Sequence, residues 1–149
     1  MTSPVLFSSK SDLWSTPQDF FAEMDRRFGP FDLDVCATAN NAKCARFFSL
    51  KEDGLKQPWR GRCWMNPPFG RPLIQWVRKA WESSLEGAMV VCLLPVRTDT
   101  KWWHDYVKLH AATIEFVRGR LRFGGAKYSA PFASAVVVFA PVKGFRCRR

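Results

Sequence analysis

Asn66-Pro67-Pro68-Phe69 place an amide, two imino acids and an aromatic ring in four consecutive positions. That set suits one kind of chemistry. An exocyclic amino group on a nucleobase is a poor nucleophile, because its lone pair is delocalised into the ring. Two acceptors aimed at its protons, the Asn66 side-chain oxygen and the Pro67 carbonyl, favour a tetrahedral nitrogen with a localised pair. This is preorganised stabilisation of charge that develops in the transition state. Phe69 offers a π-face to a base taken out of its stack. The apolar run Cys63-Trp64-Met65 reads as a short buried strand. The prolines end it, having no N–H for a ladder, and Pro67 biases Asn66 away from the helical region. The tetrapeptide then stands at the C-terminal edge of a strand, where ligands bind in open α/β sheets. A plain Asn-Pro-Pro loop is the competing reading.

The tetrapeptide resembles the Asn/Asp-Pro-Pro-Tyr/Phe catalytic motif of S-adenosylmethionine-dependent amino-methyltransferases. The resemblance implies catalytic roles for Asn66, Pro67, Pro68 and Phe69.

Composition narrows the possibilities. A chain of 149 residues supports a single core and leaves no room for a separate recognition domain of ordinary size. A hydrophobic fraction of 47% argues against disorder. No stretch approaches the roughly 20 apolar residues of a membrane span, and the first ten residues lack the apolar core of a signal peptide. The five cysteines show no Cys-x-x-Cys spacing, which points to reduced thiols in a cytoplasmic protein with no metal site. The net charge of +10 is unevenly spread. After Glu115 there is no acidic residue but eight basic ones, from Arg118 to Arg149. Such a one-signed stretch reads as a surface for a polyanion.

The elements that must position the tetrapeptide follow from local signals. Residues 1–12 read as a flexible N-terminus and 143–149 as a basic tail. Thr16 is the expected N-cap of a helix with Pro17 at its first position and Asp19 in its first turn. Phe20, Phe21, Met24 and Phe28 mark its apolar face up to Gly29-Pro30. Residues 31–37 read as the first strand and Ala45-Arg46-Phe47-Phe48 as a second short one. Asp53-Gly54 is a turn. A helix from Pro72 turns Leu73, Trp76, Val77, Ala80 and Trp81 inward and Arg78, Lys79 and Glu82 outward. Residues 88–96 form the most apolar run, expected as the central strand of a parallel sheet. A polar loop then leads into a helix ending near His110. Residues 113–123 and 134–141 form a closing strand pair, with a bulge expected at Gly119. Strand–helix alternation closed by such a pair predicts an α/β domain over residues 13–142.

In chain order, Trp14-Ser15-Thr16-Pro17, Leu33-Asp34-Val35-Cys36-Ala37-Thr38, Asn41-Ala42-Lys43-Cys44, Asp53-Gly54-Leu55, residues 64–70 and Gly119-Arg120-Leu121-Arg122-Phe123 resemble the compact phage and prophage DNA N6-adenine methyltransferases, the phage Dam-type family. The resemblance covers most of residues 13–141. It implies a Rossmann-like class I methyltransferase fold, mostly parallel with an antiparallel last strand. It also implies S-adenosylmethionine as donor and a flipped-out adenine in double-stranded DNA as substrate, and it suggests GATC as the site. Donor contacts are then expected from Thr16, Pro17, Asp34, Cys36, Ala37, Asp53 and Asn66. The usual glycine-rich turn after the first strand is replaced by Ala37-Thr38-Ala39-Asn40. DNA contacts are expected from Arg71, Arg97, Lys101, Arg118, Arg120, Arg122, Lys127 and Tyr128, on a monomer or weak dimer. The alternatives are an amino-methyltransferase of RNA or of protein glutamine, and a non-catalytic DNA-binding protein with a degenerate donor pocket.

Overall fold

The most apolar run of the chain becomes the middle of the sheet. In the computed structural model, which describes residues 15–125 and 128–142, Met89–Pro95 forms strand β3 and is buried from Val90 onward. On one side lie β2 (Arg62–Met65) and the edge strand β1 (Leu33–Asp34). On the other lie β5 (Ser134–Phe139) and the edge strand β4 (Thr113–Phe116). β1, β2 and β3 pair in parallel, and β5 pairs antiparallel with both β3 and β4. The mixed α/β sheet is thus mostly parallel with an antiparallel last strand.

Alternation along β5 divides the core into two layers, because successive side chains of a strand point to opposite faces. Ala135, Val137 and Phe139 join Trp76, Val77 and Ala80 of α2 (Leu73–Leu85) and Trp103 and Val107 of α3 (Trp103–Lys108). Val136 and Val138 join Phe21 and Met24 of α1 (Gln18–Phe28) on the other face. Trp64 belongs to this second layer, and the Phe21 ring meets it edge-on at 5.3 Å.

Several local expectations change in the folded chain. Thr16 does not cap α1: Pro17 holds the cap position, no side chain caps it, and the helix starts at Gln18. The first strand shrinks to Leu33–Asp34, although Asp32 N and Val35 N still donate to Arg62 and Trp64 carbonyls. The second strand reduces to a bridge between Phe47 and Asp34, because this edge segment finds only the very short β1 to pair with. Gly119, at φ 75°, turns the chain after β4 has ended, so no bulge forms there. Lys79 does not point to solvent; its Nζ donates to the Leu55 carbonyl at 3.0 Å and lies over the Trp59 ring. The helix after β3 is π-wound over Trp103–Lys108, where the consecutive indoles of Trp102 and Trp103 are both buried. Trp14, Lys127, residues 1–12 and the tail 143–149 lie outside the described residues.

Candidate active site

Because β1, β2, β3 and β4 run in one direction, their C-terminal ends meet at one edge of the sheet, where β5 begins. The loops after β1, β2 and β3 and the β4–β5 connection therefore cluster there. Asn66-Pro67-Pro68-Phe69 follows β2 directly, with Pro67 buried and its neighbours half-buried. Asn66 Nδ2 donates to Thr16 Oγ1 at 3.1 Å, across 50 positions of sequence. Phe69 is held edge-on by Phe132 at 5.2 Å and Phe123 at 6.4 Å, both from the β4–β5 connection. The strand end, the segment before α1 and that connection thus converge on the tetrapeptide.

Beside it, at the end of β1, a cavity of about 420 Å³ opens between the loop after β1 and the turn around Gly54. Cys36, Ala37 and Asp53, expected as donor contacts, line it. So do Glu52, Phe48 and Trp76, which sequence reasoning did not single out. The Ser49-x-x-Glu52 spacing was a usable signal: Glu52 Oε1 accepts from both Ser49 N and Ser49 Oγ at 2.9 Å. Trp76 gave no such signal, since its place in α2 reads as ordinary core. Gly54 allows a close approach, for a Cβ there would collide with the Val35 carbonyl oxygen and touch the Trp76 ring at 3.0 Å. Trp59 Nε1 donates to the Gly54 carbonyl at 2.8 Å and fixes that turn. Asp53 has φ 56° and accepts from Leu55 N at 3.2 Å, so its carboxylate serves the turn as well as the cavity wall.

Asp34 is placed differently from expectation. Only 2% exposed, it is absent from the cavity lining. Its Oδ1 accepts from Cys36 N at 3.3 Å and its Oδ2 from Lys43 N at 3.0 Å. The carboxylate thereby closes the loop whose first residues, Cys36 to Ala39, form a cavity wall. Burial pushes the Asp34 carboxyl up to about 7, against the opposing pull of the Lys43 and Cys36 N–H groups. The folded chain therefore binds this proton more tightly than the unfolded chain does. The resulting stability is fully present below 3.8, the ordinary value, and is lost as pH rises through about 7. Urea unfolding should show wild-type stability falling between about pH 5 and about pH 7.5 by an increment that Asp34→Asn lacks. Equal slopes in the two proteins would mean that Asp34 is ionised throughout. Cys36, facing the cavity, stays a protonated thiol because burial pushes its titration up.

Arg97 and Lys101 lie after β3, Arg71 after the tetrapeptide, and Arg118, Arg120 and Arg122 in the β4–β5 connection; all are exposed. None of these six forms an ion pair among the described residues, whereas Arg27 pairs with Glu115 and Arg78 with Glu82. Tyr128 is 74% exposed on the same connection. Pro17 lies on the α1 approach next to Thr16, and neither lines the cavity. The described residues hold no group of three or more His, Cys, Asp or Glu side chains able to bind a metal ion. None of their helices is long and apolar enough to cross a membrane.

A sequence model of the family described as DNA N-6-adenine-methyltransferase (Dam) matches residues 4–143. A DNA N-6-adenine-methyltransferase of Haemophilus phage HP1 is 36% identical over 125 residues, which span 83% of this chain and 72% of that protein. A DNA N-6-adenine-methyltransferase of Escherichia phage T1 is 36% identical over 112 residues, or 74% of this chain and 46% of that longer protein.

Proposed function

Since the chain belongs to the DNA N-6-adenine-methyltransferase (Dam) family, we propose that it transfers a methyl group from S-adenosylmethionine to the N6 amino group of adenine in double-stranded DNA. The observation that carries this reading is the Asn66-Pro67-Pro68-Phe69 turn at the end of β2, on the same sheet edge as the cavity after β1. The cavity volume of about 420 Å³ suits an adenosine-sized ligand. The close backbone approach at Gly54 suits it too. Cys36, Ala37, Asp53 and Glu52 would hold the donor, with Thr16 and Pro17 on its approach and Asp34 acting through the loop. S-adenosylmethionine, when bound, supplies an electrophilic methyl group on a sulfonium centre.

The chain's own residues do the rest. Asn66 Oδ1 and the Pro67 carbonyl accept the two N–H bonds of the flipped-out adenine, and Phe69 holds the base plane. Because the nitrogen lone pair is localised by those acceptors, positioning and electrostatics supply most of the rate. The proton lost from nitrogen passes to water. In this reading residues 13–142 form a Rossmann-like class I methyltransferase domain acting in the bacterial cytoplasm, and GATC is the proposed sequence context. Arg71, Arg97, Lys101, Arg118, Arg120, Arg122 and Tyr128 contact the DNA, with Lys127 on the same connection. Replacing Arg120 and Arg122 together by Ala should weaken DNA binding and reduce the slope of log affinity against log salt by about 2. An unchanged slope would remove that connection from the interface.

The test is transfer of labelled methyl from S-adenosylmethionine to unmethylated plasmid DNA, followed by nucleoside analysis. N6-methyladenine is the expected product. Label appearing only in RNA or protein would overturn the substrate, and donor binding without any transfer would overturn the reaction.

A further inference from the structure

Lys43, in the loop after β1, is tied at its two ends to different parts of the site. Its backbone N–H donates to Asp34 Oδ2 at 3.0 Å, at the end of β1. Its Nζ donates to Gln18 Oε1 at 3.0 Å, at the start of α1. Gln18 follows Thr16 by two positions, and Thr16 Oγ1 lies 3.1 Å from Asn66 Nδ2. The ammonium therefore stands where the loop after β1, the start of α1 and the approach to the tetrapeptide come together. The first residues of the same loop, Cys36 to Ala39, wall the cavity.

Its charge is not neutralised there. Gln18 is a neutral amide, and Lys43 forms no ion pair among the described residues. The acids beside its two anchors are turned to backbone groups. Asp19 Oδ1 accepts from Phe20 N at 2.8 Å, and the Asp34 oxygens accept from Cys36 N and Lys43 N. Lys43 is half-buried, whereas Arg71, Arg97 and Lys101 are exposed. Burial lowers its pKa from the ordinary lysine value, against the smaller opposing pull of Asp34. A half-buried ammonium that spends one donor on a neutral oxygen is suited to an anionic oxygen. The methyl donor carries such a group. Three arms leave its sulfonium sulfur: the methyl group, the adenosyl group and an aminobutyrate chain ending in a carboxylate. With adenosine in the cavity after β1 and the methyl group turned to Asn66, the third arm must leave in another direction. The α1 side of the loop offers it a cation. We propose that Lys43 Nζ binds the carboxylate of the donor's amino-acid arm and selects for donors that carry one. The proposal rests on the function proposed above.

The test compares S-adenosylmethionine with decarboxylated S-adenosylmethionine, which lacks that carboxylate alone. Both are titrated calorimetrically into wild type, Lys43→Met and Lys43→Arg. Lys43→Met keeps the backbone bond to Asp34 and the length of the stem while removing the charge. It should bind S-adenosylmethionine roughly 10-fold more weakly, the effect of losing one charge-assisted bond. Its affinity for the decarboxylated ligand should stay within about twofold of wild type, because only the pair of charges couples the two changes. Lys43→Arg should recover most of the preference for the carboxylate. Equal losses for both ligands would make Lys43 a support of the loop and overturn the proposal. So would unchanged affinity for both ligands with weakened DNA binding, which would assign the ammonium to a phosphate. A wild type that binds both ligands equally well leaves the donor reading standing and overturns only the role of Lys43. A wild type that binds neither overturns the donor reading and this proposal with it.

Discussion

Asn66→Ala is expected to lower kcat for adenine methylation by about 100- to 1000-fold, the effect of removing one preorganised group aimed at developing charge. DNA and donor affinities should stay within about twofold of wild type, because an interaction that gains most of its strength as charge develops on the nitrogen changes binding little. The structure favours such a clean separation. Asn66 is half-buried at the strand end, belongs to neither core layer and does not line the cavity. Its loss leaves the Thr16 hydroxyl without that partner, a cost of about 1 kcal/mol in stability. Asn66→Asp keeps an acceptor, and the Thr16 hydroxyl can turn to donate to it, so its activity should fall between wild type and the Ala variant. The measurement is single-turnover transfer of labelled methyl to plasmid DNA with all three proteins. A loss below about tenfold in Asn66→Ala would mean that the amino group is activated elsewhere.

Gly54→Ala is expected to damage the donor cavity and the fold together. The added methyl would collide with the Val35 carbonyl oxygen, a backbone atom that cannot swing aside, while the Trp76 ring lies 3.0 Å away on the other side. Relief requires the end of β1 to move from the Gly54 turn, taking with it the Cys36 to Ala39 wall. The Trp59 Nε1 bond to the Gly54 carbonyl and the Trp59–Trp76 stack at 6.0 Å resist the opposite movement. Forcing a methyl into such packing costs about 1–3 kcal/mol. Donor affinity should fall by at least about tenfold, since a 1.4 kcal/mol loss already gives that factor. Calorimetric titration with S-adenosylmethionine and urea unfolding read the two effects separately. Wild-type donor affinity in this variant would show that the cavity after β1 is not the donor site.

Signals carried by neighbouring residues were readable without a structure. The apolar run of β3 and the helical spacing of Phe21 and Met24 and of Trp76 and Val77 all survive into the core. Local backbone signals were less dependable where a partner decided the outcome. Ala45-Arg46-Phe47-Phe48 has strand-like composition, yet its place at the edge beside the two-residue β1 leaves it a single bridge. Thr16 has every local mark of an N-cap, and its hydroxyl goes instead to a residue 50 positions away.

The tetrapeptide, the strand that presents it and the basic stretch after Glu115 are legible in the chain alone, because each rests on residue types a few positions apart. Which side chains meet around them depends on the folded arrangement. It brought Phe123 and Phe132 against Phe69. It assembled the cavity from the loop after β1, the Gly54 turn and α2. It also turned Asp34 from a strand-end ligand candidate into the anchor of a loop, by burying its carboxylate against the Cys36 and Lys43 N–H groups. Burial and long-range partners depend on how the sheet closes, and in a single sequence that closure has no local trace.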